Sequence, residues 1–270
     1  MVMIIKANGE KEKFEEKRLL GSLQRAGAEA KTASRVLEKI RAKLYDGIST
    51  KKIYRMAFNV LKKIDNPTAS RYKIKWAMMR LGKRQGFSFE QYMERLFEKM
   101  GYDAETNIIA QGKYITHEVD VTLEKAGERI LVECKHRSKP AIWVHVKTAL
   151  ALHSRLLDLK EKYDKAILVT NSRFTKHAIQ YANGIGIKLI AWDQPANENL
   201  KGLIDSYRVY PITVLKSVDD ASKRKLLSHK LVVIYDLVEC KRLDEIVGHK
   251  KANEILSEAH NLLKIKGEKK

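Results

Sequence analysis

The sequence predicts an α/β chain in which a mixed sheet flanked by helices lies between two mostly helical parts. Three observations point there. Apolar residues alternate with period two over residues 115–135, and helical and strand patterns then alternate as far as residue 192. Apolar residues at helical spacing dominate residues 14–81 and 217–263. Turn-forming residues mark the changes, at Gly82 and Gly86 and again from Asp193 through Pro195 to Asn197. The 270 residues thus divide into 1–83, 84–197 and 198–270.

In the first part, residues 3–6 form a strand and Asn8-Gly9 a hairpin turn. Helices are expected over 14–26, 31–45 and, capped by Ser49 or Thr50, through Ile64. Their apolar faces carry Leu19 and Leu23, Val36 and Ile40, and Ile53, Ala57 and Leu61. Asn66-Pro67 stops the third, and a fourth covers 68–81.

In the middle part, Ser88 caps a helix that runs to Met100 and ends at Gly101. Strands are expected over 104–109, 115–123 and 129–135, with a turn at 125–128. A helix over 149–163, a strand over 165–170, a helix over 175–182 and a strand over 187–192 complete the α/β pattern. Gly184 and Gly186 make the last tight turn. The third part begins with a loosely packed connector holding one helix, from 193 to 216. Short helices follow over 221–227, 233–239, 243–247 and 250–263, and the tail 264–270 is expected to be disordered.

Charge narrows the function. The net charge of +20 favours a polyanionic partner, nucleic acid before an acidic membrane surface. Residues 1–83 hold 21 Lys and Arg against 8 Asp and Glu, whereas residues 84–200 hold 17 against 15. Surface ion pairs explain a high charge content but not a surplus of one sign. No run of about 18 apolar residues occurs and no signal-peptide pattern opens the chain, so a soluble, cytoplasmic protein with no membrane partner is expected. Two cysteines, Cys134 and Cys240, lack the spacing of a disulfide framework or a zinc site. His145, His153 and His177 have no partner at metal-ligand spacing.

The chemistry concentrates on two strands. Alternation puts His117, Val119, Val121 and Leu123 on one side of the first and Glu118, Asp120 and Thr122 on the other. In the second, Leu131, Glu133 and Lys135 face away from Val132 and Cys134. Neighbouring antiparallel strands then bring Asp120, Glu133 and Lys135 together. Two close carboxylates repel unless a cation joins them, and hard oxygen ligands suit Mg²⁺. The metal polarises a phosphodiester and lowers the pKa of bound water, while the lysine orients that water or stabilises developing charge. An Asp with Glu-x-Lys thirteen residues later is a weak signal alone. The hydrophobic strand before Glu133 and the α/β pattern after Lys135 strengthen it.

Three resemblances follow from these residues. Phe89-Glu90 opening a helix that ends Met100-Gly101-Tyr102, then His117-Glu118-Val119-Asp120 and Leu131-Val132-Glu133-Cys134-Lys135 open the first motif set. Ile167-Leu168-Val169-Thr170-Asn171-Ser172-Arg173-Phe174 and Leu189-Ile190-Ala191-Trp192 complete it. Together they resemble the Mrr-type restriction endonucleases of the PD-(D/E)xK superfamily, a fold shared with archaeal junction resolvases. The resemblance implies a restriction-endonuclease-like core in which Asp120 and Glu133 hold Mg²⁺, with Cys134 in the metal set. It also implies Lys135 at the water and Glu90 as a further acidic residue from the helix. Lys147, Arg173 and Lys176 are candidate phosphate contacts, a solvated face being the equal alternative.

Ile5-Lys6-Ala7-Asn8-Gly9, Phe14 before Arg18, Ser49-Thr50 and Ala69-Ser70-Arg71-Tyr72 are similar to an ATP-cone domain. This implies Lys6 and Arg18 at the phosphates of an ATP or dATP effector, the alternative being a basic module that holds DNA or dimerises. Ile246-Val247-Gly248-His249-Lys250-Lys251 resembles a helix-hairpin-helix unit, implying that Gly248, Lys250 and Lys251 hold a DNA phosphate; a helical cap that packs or dimerises is the alternative. The expected protein is therefore a Mg²⁺-dependent endodeoxyribonuclease of restriction or of DNA repair and recombination, regulated by nucleotide. The alternatives are a nucleotide-sensing DNA-binding protein on an inactive nuclease fold and an interaction module of a repair complex. Two-strand cleavage would favour a homodimer.

Overall fold

The computed structural model describes residues 2–6, 9–65, 68–69, 72–82, 88–138 and 142–263. The expected tail 264–270, the Asn66-Pro67 break, Asn8 and Gly86 lie outside them.

β1 (Met3–Ile5) pairs antiparallel with β2 (Lys11–Lys13), with Met3 opposite Lys13. Gly9 takes φ +88 in the connecting turn, a conformation that favours glycine. A third strand of two residues, β3 (Ile48–Ser49), runs parallel to β1 and was not foreseen. It explains why α2 (Ala30–Arg41) stops short of residue 45: Gly47, at φ +83, turns the chain into β3. α1 (Glu16–Arg25) and α3 (Thr50–Ile64) complete this part around buried Leu23, Val36, Ile40, Ile48, Ala57 and Leu61. The Ser49 hydroxyl caps α3 by accepting the Lys52 N–H.

α4 (Ile74–Leu81) is shorter than the expected 68–81, and residues 70 and 71 lie outside the described ones. Its buried Ile74, Ala77, Met78 and Leu81 join the core of the following part, not that of the first. The core therefore changes hands between Tyr72 and Ile74, several residues before the glycines that mark the change in the sequence.

The main sheet has strand order β4 (Asp103–Gln111), β5 (Thr116–Lys125), β6 (Glu128–Lys135), β7 (Lys165–Thr170) and β8 (Lys188–Ile190). The first three are antiparallel and the last two run parallel to β6. One face packs on α5 (Ser88–Lys99), whose Phe89, Met93, Leu96 and Phe97 are buried with Val121, Val132 and Val169. The other packs on α6 (Val146–Asp158) and α7 (Lys176–Gly184), through Ala149, Leu152, Ala178 and Leu168.

Strict alternation along β5 is corrected. Val121 and Leu123 belong to the α5 side, whereas Val119, two residues away from Val121, belongs to the α6 side. The faces swap at Asp120. On the edge strand, Asn107 takes φ +58 between Thr106, the partner of Val121, and Ile108, the partner of Val119. A left-handed residue re-aims the strand there.

The last part is more tightly packed than expected. α8 (Leu200–Tyr207), a 3-10 turn (Ile212–Val214), α9 (Asp220–Ser228), α10 (Ile234–Glu239), α11 (Leu243–Val247) and α12 (His249–Leu263) follow in order. The segment read as a loose connector is buried at Val209, Tyr210, Ile212 and Val214. Leu226, Val232, Leu237, Ile255 and Leu262 share one core cluster with the α5 face of the sheet. The Tyr92 hydroxyl donates to the Val209 carbonyl at 2.5 Å and the Thr213 hydroxyl to that of Ala77 at 2.7 Å. No described helix is long and apolar enough to cross a membrane.

Candidate active site

β5 and β6 pair from Lys125 opposite Glu128 up to Val121 opposite Val132, and there their ladder ends. β6 continues alone beside β7, with Glu133 opposite Leu168 and Lys135 opposite Thr170. Asp120 fills the splay. Its Oδ2 accepts the Cys134 N–H at 2.7 Å, a donor that β5 no longer satisfies. The carboxyl group is held above its ordinary pKa by burial first and then by the neighbouring Glu133.

Glu133 is only 6% exposed. A buried carboxylate persists only if paired, and this one is paired twice. Lys135 Nζ contacts Oε1, and Arg155 Nη1, from α6, donates to Oε2 at 2.5 Å. The Lys135 side chain remains a third exposed and open to a ligand. Glu90, in the first turn of α5, completes the group from the opposite face. Its pKa is pushed up to about 7, mainly by burial and also by the charge of Asp120. Its Oε2 is buried with no hydrogen-bond partner. Glu133 thus meets two cations, Asp120 and Glu90 lie within reach of their charge, and an unpartnered carboxylate oxygen remains on Glu90. That donor set of hard oxygens fits a divalent cation.

The fit is not a ready-made cage. Among the described residues no group of three His, Cys, Asp or Glu side chains is already arranged to hold a metal ion. Lys135 and Arg155 each engage one Glu133 oxygen, so a cation would share or displace those contacts. The expectation for Cys134 is corrected in one respect. Its side chain lies in the α5-side core with Val132, and burial pushes the thiol well above its ordinary range. The thiol therefore stays protonated beside the carboxylates, and the Cys134 atom bound to them is its backbone nitrogen, which donates to Asp120.

Sequence reasoning missed two supporting residues. Arg155 follows Leu152 by three on the inward stripe of α6 that carries Ala149 and Leu152; a cation at that position was the available signal. Asn171 is fully buried just beyond β7. Its Oδ1 accepts the Arg137 N–H at 2.7 Å and its Nδ2 donates to the Arg137 carbonyl at 2.9 Å. The side chain acts as a strand partner and holds the segment after Lys135. The Thr170 hydroxyl donates to the Lys135 carbonyl at 2.6 Å. Behind them, His136 Nε2 lies 2.8 Å from the Met78 carbonyl of α4, and burial lowers its pKa.

The remaining expected residues lie elsewhere, and several of them are engaged within the protein. Lys6 pairs with Glu12 at 2.7 Å, and Arg18 pairs with Glu12 at 3.1 Å and Glu15 at 3.0 Å. Gly248 takes φ +88 between α11 and α12. Its N–H donates to the Asp244 carbonyl at 2.8 Å, so that donor is already engaged. Lys251 pairs with Glu254 at 3.2 Å and Asp219 at 3.5 Å, while Lys250 is exposed. Arg173 is held by Asp193, with Nε–Oδ1 at 3.0 Å, whereas Lys147 and Lys176 are exposed.

With this geometry in place, three family models match the chain. They are a restriction endonuclease domain over residues 81–197, an ATP cone domain over 2–84 and the AF1548-like C-terminal domain over 210–263. An uncharacterised protein of Archaeoglobus fulgidus is 35% identical over 175 residues, covering 63% of this chain and 99% of its own. The crystal structure of a protein of unknown function, AF1548, is 35% identical, covers 64% of this chain and 96% of its own, and superposes with a TM-score of 0.58. The DNA modification-dependent restriction endonuclease AspBHI is 19% identical, with a TM-score of 0.36, over 59% of this chain and 40% of its own.

Proposed function

The chain belongs to the AF1548-like family of proteins with an Mrr-type restriction endonuclease domain, here preceded by an ATP cone domain, and on that premise we propose that it is a Mg²⁺-dependent DNA endonuclease of the PD-(D/E)xK type. The observation that carries the proposal is the unpartnered, buried Glu90 Oε2, on a carboxyl group that feels the charge of Asp120, together with Lys135 against Glu133. An inert surface hairpin has no use for two carboxyl groups, Glu90 and Asp120, held above their ordinary pKa beside a buried third.

Asp120 and Glu133 would hold the cation, with Glu90 approaching from α5. When bound, Mg²⁺ supplies neutralising charge for a phosphodiester and a lowered pKa for its water. Lys135 then turns its ammonium from Glu133 toward that water and the developing negative charge. Arg155 is the cation that holds Glu133 meanwhile. The backbone clamp from Asn171 and Thr170 fixes where β6 ends, and so where Lys135 can reach. DNA as the substrate is supported by the charge of +20.

A nucleotide effector at Lys6 and Arg18 is the companion proposal. It carries a stated condition: phosphates must draw both cations away from Glu12, which now bridges them.

The test uses supercoiled plasmid and branched DNA with intact protein and Asp120→Ala, in Mg²⁺ and in EDTA. Cutting that needs Mg²⁺ and is lost in the variant, with DNA binding retained, is expected. Cutting that survives the substitution or EDTA overturns the site. An intact protein that binds these DNAs but cuts none of them leaves the nucleotide-sensing DNA-binding protein.

A further inference from the structure

We propose that the flank of α3 is a docking surface for single-stranded DNA, with an unstacked base seated among Trp76, Phe58 and Tyr54 and its phosphates on Lys51, Arg55 and Lys73. A cavity of about 220 Å³ opens there, lined by Lys51, Tyr54, Arg55 and Phe58 from α3 together with Lys73 and Trp76. Three of the six are aromatic, three are cationic and none is acidic.

The aromatic faces are already arranged as a platform. The Tyr54 and Trp76 rings are 6.4 Å apart and tilted by 54°, and Tyr72 stacks behind Tyr54 at 4.4 Å. Cations cover the faces that the cavity exposes: Lys73 Nζ lies 4.2 Å from the centre of the Phe58 ring and Lys51 Nζ 5.7 Å from that of Trp76. A base can replace each ammonium over its ring, and the released ammonium then meets the phosphate of the same nucleotide.

Charge makes the occupant anionic. α3 carries Lys51, Lys52, Arg55, Lys62 and Lys63 with no Asp or Glu in its sequence. Lys73 is crowded by Lys216, Arg80 and Lys62 and opposed by Glu258, and its pKa is lowered by burial first and then by these cations. Such a surplus is expensive in an unoccupied surface and is relieved by phosphate.

The dimensions make it a strand. Lys51 and Lys62 are eleven residues apart on one helix, about 16 Å at 1.5 Å per residue, which exceeds the reach of one nucleotide. A duplex keeps its bases stacked and cannot offer a ring face to Trp76, so a single strand is the form that fits. This surface also draws on the positive surplus of residues 1–83, which the carboxylate site does not use. The inference rests on the nuclease proposal only in taking DNA as the polyanion.

The experiment measures binding alone, in EDTA, with the full chain carrying Asp120→Ala. Failure of the cutting site and failure of this surface are therefore separate results. Fluorescein-labelled (dT)15 and a 15-base-pair duplex are titrated by anisotropy, with and without Lys51→Glu/Arg55→Glu. Both residues are exposed, so folding is retained. The expected result is a loss of (dT)15 affinity at least fivefold greater than any loss of duplex affinity. Trp76→Leu is expected to lower (dT)15 affinity in the same selective way and to remove the fluorescence quenching that stacking produces. A smaller selective loss overturns the proposal, because the effect is then general charge. Full displacement of (dT)15 by millimolar ATP also overturns it, because the cavity is then a mononucleotide site.

Discussion

Glu90→Gln replaces a carboxyl group whose charge the metal-free protein holds at a cost. In the unfolded chain its pKa is the ordinary 4.5, and in the folded protein it is pushed up to about 7. Below pH 4.5 both states bind the proton and the group has no effect. As pH rises from 4.5 to 7 the unfolded chain releases the proton while the folded one keeps it, so stability falls across that window and then levels off. The full separation corresponds to about 3 kcal/mol at about 1.4 kcal/mol per pKa unit. Solvent reaches part of the side chain, and screening brings this to about 1–2 kcal/mol. Gln has no such titration. Urea unfolding in EDTA at pH 5, 6, 7 and 8 is the assay. The variant is expected to gain about 1–2 kcal/mol on the intact protein between pH 5 and 8. Equal pH dependence for the two proteins, or a variant that loses ground as pH rises, would refute the reasoning.

Two further substitutions probe the supports. Arg155→Ala withdraws one of two cations from a buried carboxylate and is expected to cost about 1–3 kcal/mol in EDTA. Mg²⁺ should restore part of that loss, since a cation then replaces the guanidinium; urea midpoints with and without Mg²⁺ decide it. Asn171→Ala removes both bonds to the Arg137 backbone, with an expected cost of about 1–3 kcal/mol. It should slow Mg²⁺-dependent cutting while DNA affinity, measured in EDTA, stays unchanged; loss of both together would make Asn171 structural only.

The sequence made part of this site legible. Period-two spacing puts Glu133 and Lys135 on one face of β6, and the structure has them in contact. The position of Glu90 in the opening turn of α5 came from motif order alone. Alternation failed at Asp120, because its setting depends on Asn107 turning left-handed on the neighbouring strand, and asparagine carries that option without announcing it. Arg155 reaches Glu133 only through the packing of α6 on the sheet, which no local pattern encodes. β3 is two residues long, too short for periodicity to reveal. The 193–216 segment looked loose because its prolines and polar residues dominate locally, while its apolar residues find their partners in α4 and α5, more than a hundred residues earlier.

Single-turnover nicking of supercoiled plasmid by intact protein and by Lys135→Ala, in Mg²⁺ at low salt with an EDTA control, tests the central claim most directly. The account predicts nicking that requires Mg²⁺ and falls about 100-fold or more in the variant, the scale of losing one group that stabilises transition-state charge. Equal rates for the two proteins, or nicking that persists in EDTA, would contradict it.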